Sequence, residues 1–198
     1  MMDRLTLLAS DCNIAKQANQ RLEELIDFAA EVGAPLVTVG GFRGRLAWSE
    51  EENPREILIA ILKSAAERAF NLGVRLALEP LNRYETDIIP NAAEGLELVQ
   101  RIGHPAIGLL LDTFHVNIEE ASITDCFRDA YQAGRLFHVH IGDSNRLPPG
   151  KGHINFAAII DTLYMLGYSE YLSAELIPSP DPDTAAIDTA EFIQRLLR

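Results

Sequence analysis

A chain of 198 residues, 47% hydrophobic and 23% charged, has the length for one domain with a real core and the make-up of an ordinary globular protein. Lys and Arg total 17 and Asp and Glu total 29, so the formal charge is −12; such a balance repels phosphate backbones and argues against a DNA or RNA partner. No apolar run reaches the length of a membrane span, and the cysteines, Cys12 and Cys126, stand far apart in no metal-like spacing, which fits a reducing cytoplasm better than a disulfide framework.

The opening stretch lacks the basic start and small-residue cleavage site of a secretory signal, and Leu5 to Ala9 reads as a first strand. Arg21 to Val32 places Leu22, Leu25, Ile26 and Ala29 on one helical face, and Gly33 can end that helix. Leu36 to Val39 is the second strand. The Gly-rich stretch at 40–44 lacks the spacing of a dinucleotide loop and reads as a plain loop. Asn53 and Pro54 open a helix that Gly73 closes, and Val74 to Leu78 is the third strand. Asn91 with Glu94 resembles a capping box, as does Ser122 with Asp125. Ile107 to Leu111, Leu136 to Ile141 and Leu172 to Leu176 complete the strands. Asn155 caps a helix that stops at Gly167, and Asp183 starts the last one.

The strand runs are apolar almost throughout, as in parallel sheets covered on both faces. Six strand–helix units in series predict an α/β fold with a parallel sheet, built as one domain over residues 1–198. A closed barrel needs eight strands. The rival, an open doubly wound sheet, calls for a Gly-rich phosphate loop after its first strand, and none is present there.

Four consecutive strands carry ionisable residues at or near their ends. Glu79 follows the third, Asp112 follows the fourth, His138 and His140 lie in the fifth, and Glu175 lies in the sixth. In barrels, that end of the strands carries function. Carboxylates aimed into an apolar cup are costly unless paired, and a shared divalent cation removes the problem for several together. Three carboxylates and one imidazole suit Mn²⁺, Mg²⁺ or Co²⁺ better than a thiolate-rich zinc site does. For any single acid, a salt bridge or helix cap is the commoner explanation. Four in succession are the reason to expect a site. His138 and His140 share a strand face; His140, nearer the mouth, is the metal candidate, and His138 reads as a hydrogen-bonded core histidine. His115, Arg146 and Glu85 stand where mouth loops reach a substrate, with Tyr84, Phe114 and Trp48 as weaker candidates for its walls. His104, before a strand, reads as structural, and His153 as a solvent-exposed loop residue.

The stretches at 78–86 (Leu78 to Thr86), 111–117 (Leu111 to Asn117) and 138–146 (His138 to Arg146), continued through 148–156, resemble the sugar-epimerase branch of the xylose-isomerase-like TIM barrels, the tagatose, psicose and ribulose 3-epimerases. The resemblance implies that Glu79, Asp112, His140 and Glu175 bind one divalent ion, Mn²⁺ first, with Mg²⁺, Co²⁺ or Zn²⁺ as alternatives. It implies that Glu79 and Glu175 are the acid–base pair, and that His115, Arg146 and Glu85 bind a small sugar. The implied reaction is isomerisation or epimerisation of a ketose through a cis-enediolate. Against the full barrel, the chain is expected to lack the first two strand–helix units, to leave strand edges beside Leu5–Ala9 and Leu172–Leu176, and to form a homo-oligomer. Alternatives are a hydroxypyruvate isomerase or inosose dehydratase, or an inactive paralogue. A DNA endonuclease of the same superfamily is disfavoured, because no histidine precedes His104 and the charge is −12.

Overall fold

The computed structural model describes residues 5–197 and divides after Leu109 into two compact halves. In the first half, α1 spans Cys12–Val32 and begins well before the predicted Arg21, because Asp11 caps it by accepting the Asn13 N–H at 2.8 Å. Its buried stripe is Ala18, Leu22, Ile26 and Ala29, and Gly33 ends it at φ 72°, a left-handed conformation that glycine adopts without strain. β1 (Leu36–Val39) and β2 (Arg75–Leu78) run parallel, Leu36 opposite Arg75 and Val39 opposite Leu78. The first residues of β3 (Ile107–Asp112) continue this order, with Leu76 opposite Ile107 and Leu78 opposite Leu109. α2 (Pro54–Asn71) packs on α1 and on β2, and α3 (Ala92–Ile102) packs on α2. Leu76, Ala77 and Leu78 are all fully buried, so both faces of β2 are covered, which is why its sequence shows no alternation.

In the second half, β4 (Leu136–Ile141) and β5 (Leu172–Ala174) are parallel, Val139 opposite Leu172 and Ile141 opposite Ala174. α4 (Thr113–Glu119) follows β3 directly and α5 (Ile123–Gln132) leads to β4. α6 (Phe156–Leu166) packs against α5 and buries Phe156, Ile159, Ile160 and Leu163, while α5 buries Cys126, Phe127 and Ala130. Asn155 caps α6 by accepting the Ala158 N–H, and Gly167 ends it. Burial pushes the Cys126 thiol well above its ordinary range, so it packs as a small apolar group; Cys12 is exposed, and neither is in a disulfide.

Four expectations need correction. Leu5–Ala9 is not a strand: the Leu7 and Leu8 N–H groups donate to the carbonyls of Phe42 and Arg43, and the chain turns where Ala9 bonds back to Thr6. Its apolar character reflects burial of Leu7 and Leu8, not strand pairing. Five strands are therefore present among the described residues rather than six. Residues Gly41–Arg43 form a 3-10 turn, not an open loop. The last helix, α7 (Pro182–Leu196), starts before Asp183, since Asp181 accepts the Thr184 N–H at 2.9 Å and Pro182 suits the first helical position. Asn53 precedes α2 without a side-chain cap bond.

Among the described residues, no helix is long and apolar enough to cross a membrane. Leu76→Ala, at a site with no exposed surface, is expected to cost about 2–5 kcal/mol through lost burial and the cavity left behind. Urea unfolding monitored by circular dichroism measures that loss as a lowered midpoint.

Candidate metal centre

In the first half, Glu79 follows β2 directly. Its N–H donates to the Val39 carbonyl at 3.0 Å, its own carbonyl accepts from Arg43 Nη1 at 2.7 Å, and its side chain is buried. The backbone of Gly40 runs so close that a β-carbon there would stand 2.5 Å from Glu79 Oε2. Glycine at 40 is thus a condition for this placement of the carboxylate. Arg43 has no exposed surface and also donates to the carbonyls of Gly40, Ile88 and Ile89, tying the 3-10 turn, the end of β2 and the loop beyond it together. Burial lowers its pKa to about 10 against the opposing pull of Glu79 and Asp87, so the guanidinium stays charged at neutral pH. Glu85 is exposed and accepts from Asn82 Nδ2 at 2.9 Å. With Trp48, Tyr84 and Arg45 it lines a cavity of about 630 Å³ within this half.

In the second half, Asp112 ends β3 with no exposed surface. Its Oδ1 accepts the Phe114 N–H at 2.8 Å, which caps α4, while Oδ2 accepts from Arg146 Nη1 at 2.7 Å. His140 lies near the end of β4, its Nδ1 2.5 Å from Glu175 Oε2 and 3.9 Å from Asp112 Oδ2. Glu175 follows β5, with its N–H on the Ile141 carbonyl. Gly142 lets this approach happen, since a β-carbon there would meet the Glu175 carbonyl oxygen at 2.7 Å. Arg146 Nη2 reaches Glu175 Oε1 at 3.2 Å, and the same guanidinium lies over the Phe114 ring, 4.7 Å from its centre. Asp112, His140 and Glu175 each offer one ligand atom, and these atoms lie within 4.8 Å of one another. Hard carboxylate oxygens beside an imidazole, with no thiolate, form a donor set that fits a hard or borderline divalent cation.

The hydrogen bond from His140 brings the Glu175 carboxyl down to about 2; partial burial opposes this, and the charges of Arg146, His140 and His115 assist it. His115 is buried in α4 with its ring edge-on to Phe114. His138 Nε2 lies 2.9 Å from Ser173 Oγ, and its ring meets that of His140 edge-on. His104 sits between Glu67 and the Ala106 N–H, and His153 is exposed. Tyr84 is three-quarters exposed and Trp48 less than half, whereas Phe114 supports Arg146 directly.

Residues 3–196 match the sequence profile of the xylose isomerase-like TIM barrel. The chain belongs to that family. Within the xylose isomerase-like barrels it is similar to an L-ribulose 3-epimerase of Mesorhizobium japonicum, 46% identical over 120 residues, which are 61% of this chain and 40% of that protein. A ketose 3-epimerase of Arthrobacter globiformis is 29% identical over 170 residues, 85% of this chain and 58% of that one. The chain thus spans well under two thirds of these relatives' lengths. A solved structure of an L-ribulose 3-epimerase superposes with a TM-score of 0.85 at 31% identity, over 98% of this chain and 72% of that one.

The sequence reading did not single out Arg43, Gly40 or Asp143. The Gly-rich stretch at 40–44 was the available signal for the first two, and the buried Asp143 lay inside the stretch that carries Arg146.

Glu175 is depressed in the folded chain, so its contribution to stability is complete above the ordinary glutamate range near pH 4.5 and is lost as the pH falls toward 2. Metal-free protein is expected to lose stability over that window, and Glu175→Gln to flatten that part of the curve. Melting temperatures measured from pH 5 to pH 2 test this.

Proposed function

We propose that this chain is a divalent-metal-dependent epimerase or isomerase of a small ketose, with Glu79, Asp112, His140 and Glu175 as the metal's ligands. The observation that carries the proposal is the convergence of Asp112, His140 and Glu175 to within 4.8 Å, with donors suited to Mn²⁺ first and Mg²⁺, Co²⁺ or Zn²⁺ after it. The likeness to L-ribulose and ketose 3-epimerases supports the substrate class.

When bound, the cation supplies Lewis acidity to the sugar carbonyl and a neighbouring hydroxyl oxygen. One of Glu79 and Glu175 takes the proton from the carbon beside the carbonyl, leaving a cis-enediolate. The other returns a proton from the opposite face, which inverts that carbon with no net change in oxidation. Arg146, His115 and Glu85 hold the sugar oxygens. The chain's charge of −12 disfavours a nucleic-acid partner. A homo-oligomer belongs to the same proposal, with the exposed Tyr164, Met165 and Tyr171 of the second half as apolar surface for a second copy.

The test is a panel of D-tagatose, D-psicose, L-ribulose, hydroxypyruvate and inososes, assayed on chelator-treated protein with and without Mn²⁺. Turnover of a ketose that depends on Mn²⁺ is expected. Glu79→Gln and Glu175→Gln should each lower it by about 10²–10⁴-fold with the fold retained by circular dichroism. Turnover that ignores both substitutions would overturn the residue assignment. Preference for hydroxypyruvate or an inosose would replace the substrate class.

Gly40→Ala adds a β-carbon against Glu79 Oε2 and is expected to weaken Mn²⁺ binding by about 10–100-fold, the usual range for groups that orient a ligand. Calorimetric titration of wild type and variant reads the difference.

A further inference from the structure

The loop after β4 is built around a buried carboxylate that the proposed chemistry does not use. Asp143 has no exposed surface. Its Oδ1 accepts the N–H groups of Ser144 at 2.7 Å and Ile154 at 3.1 Å, and Oδ2 accepts that of Gly150 at 2.8 Å. Its own N–H donates to the Leu147 carbonyl at 2.9 Å, and its carbonyl accepts the Arg146 N–H at 2.8 Å. One residue therefore bonds main-chain groups on both sides of Arg146. Gly152 leaves the space that the carboxylate fills, since a β-carbon there would collide with Asp143 Oδ1 and Ser144 Oγ. Burial opposes ionisation of Asp143, but the N–H groups of Ile154, Ser144, Gly152 and Gly150 outweigh it and hold the carboxyl below its ordinary range.

Arg146 is the residue this loop presents. Its backbone stands at φ 62°, in the left-handed region that a non-glycine residue occupies only when its surroundings impose it. Its guanidinium bridges Asp112 and Glu175, and its carbonyl accepts the Ile177 N–H at 2.6 Å, just beyond Glu175. Two of the loop's further bonds, Asn145 Nδ2 to the Lys151 carbonyl and the His153 N–H to Ser144 Oγ, close it further along, while the Leu147 N–H donates to Asn145 Oδ1 at 3.1 Å and so spans Arg146 within the turn that Asp143 closes.

We propose that Asp143 is a positioning residue: its buried carboxylate is the template on which residues 143–154 close, and that closure holds Arg146 in the backbone conformation that places its guanidinium between Asp112 and Glu175. The functional weight of this role rests on the proposed use of Arg146 at the sugar, whereas the placement itself does not. Asparagine is a poor substitute at 143, because its amide would direct N–H groups at a backbone N–H that the carboxylate accepts.

The direct test is NMR of arginine side chains. A guanidinium held between two carboxylates rotates slowly and gives resolved Nη–H resonances, which their loss in Arg146→Ala assigns. Asp143→Asn is expected to remove those resonances while the backbone amide spectrum outside 143–154 persists. A folded Asp143→Asn protein that keeps them would overturn the proposal. If that variant fails to fold, Gly152→Ala, which displaces the carboxylate without removing it, is read in the same way. This measurement needs neither metal nor sugar, so failure of the epimerase reading and failure of the positioning role give different results. Where the chain turns over a ketose, Asp143→Asn should lose about 10–100-fold in kcat/KM. The double variant Asp143→Asn/Arg146→Ala should then lose no more than Arg146→Ala alone. Additive losses would mean that Asp143 acts on activity by another route.

Discussion

A carboxylate with no exposed surface is the constraint around which the second half is organised. Asp112 ends an apolar strand, where ionisation is costly unless every lone pair finds a donor. The protein meets this on two sides: the first turn of α4 donates a backbone N–H to one oxygen, and Arg146 donates to the other. Because Arg146 also reaches Glu175, and Glu175 reaches His140, the charge of one strand end is balanced by groups from the next two. Pairs of this kind are weak contributors to stability, since desolvation offsets much of the attraction. What they do form is a compact set of oxygen and nitrogen donors whose chemistry fits the proposed cation.

That set depends on glycines as much as on charges. Gly142 has to be without a side chain for the backbone at Glu175 to come close, and Gly40 plays the same part for the Glu79 carboxylate in the first half. Neither is explained by turn geometry, as neither has a positive φ. Each marks a place where a second strand end, or its side chain, occupies the space of a β-carbon.

Sequence patterning reached the architecture wherever burial and strand pairing coincide. Leu36–Val39 and Leu136–Ile141 are found at the predicted bounds; in Leu136–Ile141 four of six residues are buried, as an apolar run on a covered parallel strand requires, whereas in Leu36–Val39 only Val39 is buried. Leu5–Ala9 shows the limit of that reasoning: Leu7 and Leu8 are equally buried, yet their N–H groups bond a 3-10 turn. An apolar run reports burial and not the partner of its backbone. The strand-end acids and His140 were visible because a charged or imidazole side chain interrupts an apolar run. Arg43 and Asp143 were not, because their partners are main-chain groups, which every sequence supplies and no spacing reveals.

Arg43 and Asp143 are nevertheless the same device with opposite sign. A guanidinium presents five donors in a rigid fork and a carboxylate presents about four lone-pair sites, so either can gather several backbone groups that no regular ladder satisfies. Arg43 collects carbonyls where the chain leaves β2, and Asp143 collects N–H groups where it leaves β4. Each thus stiffens a connecting segment beside a strand end that carries a candidate ligand. Loops ordinarily owe their order to surface turns and are the more mobile part of a fold. A buried charge changes that balance, because loosening the segment would strand an ion in an apolar interior. The cost of an uncompensated ion therefore becomes a restoring force on the loop. In the proposed epimerisation, where a proton leaves one face of a carbon and returns to the other, small displacements of the flanking groups weigh heavily on rate.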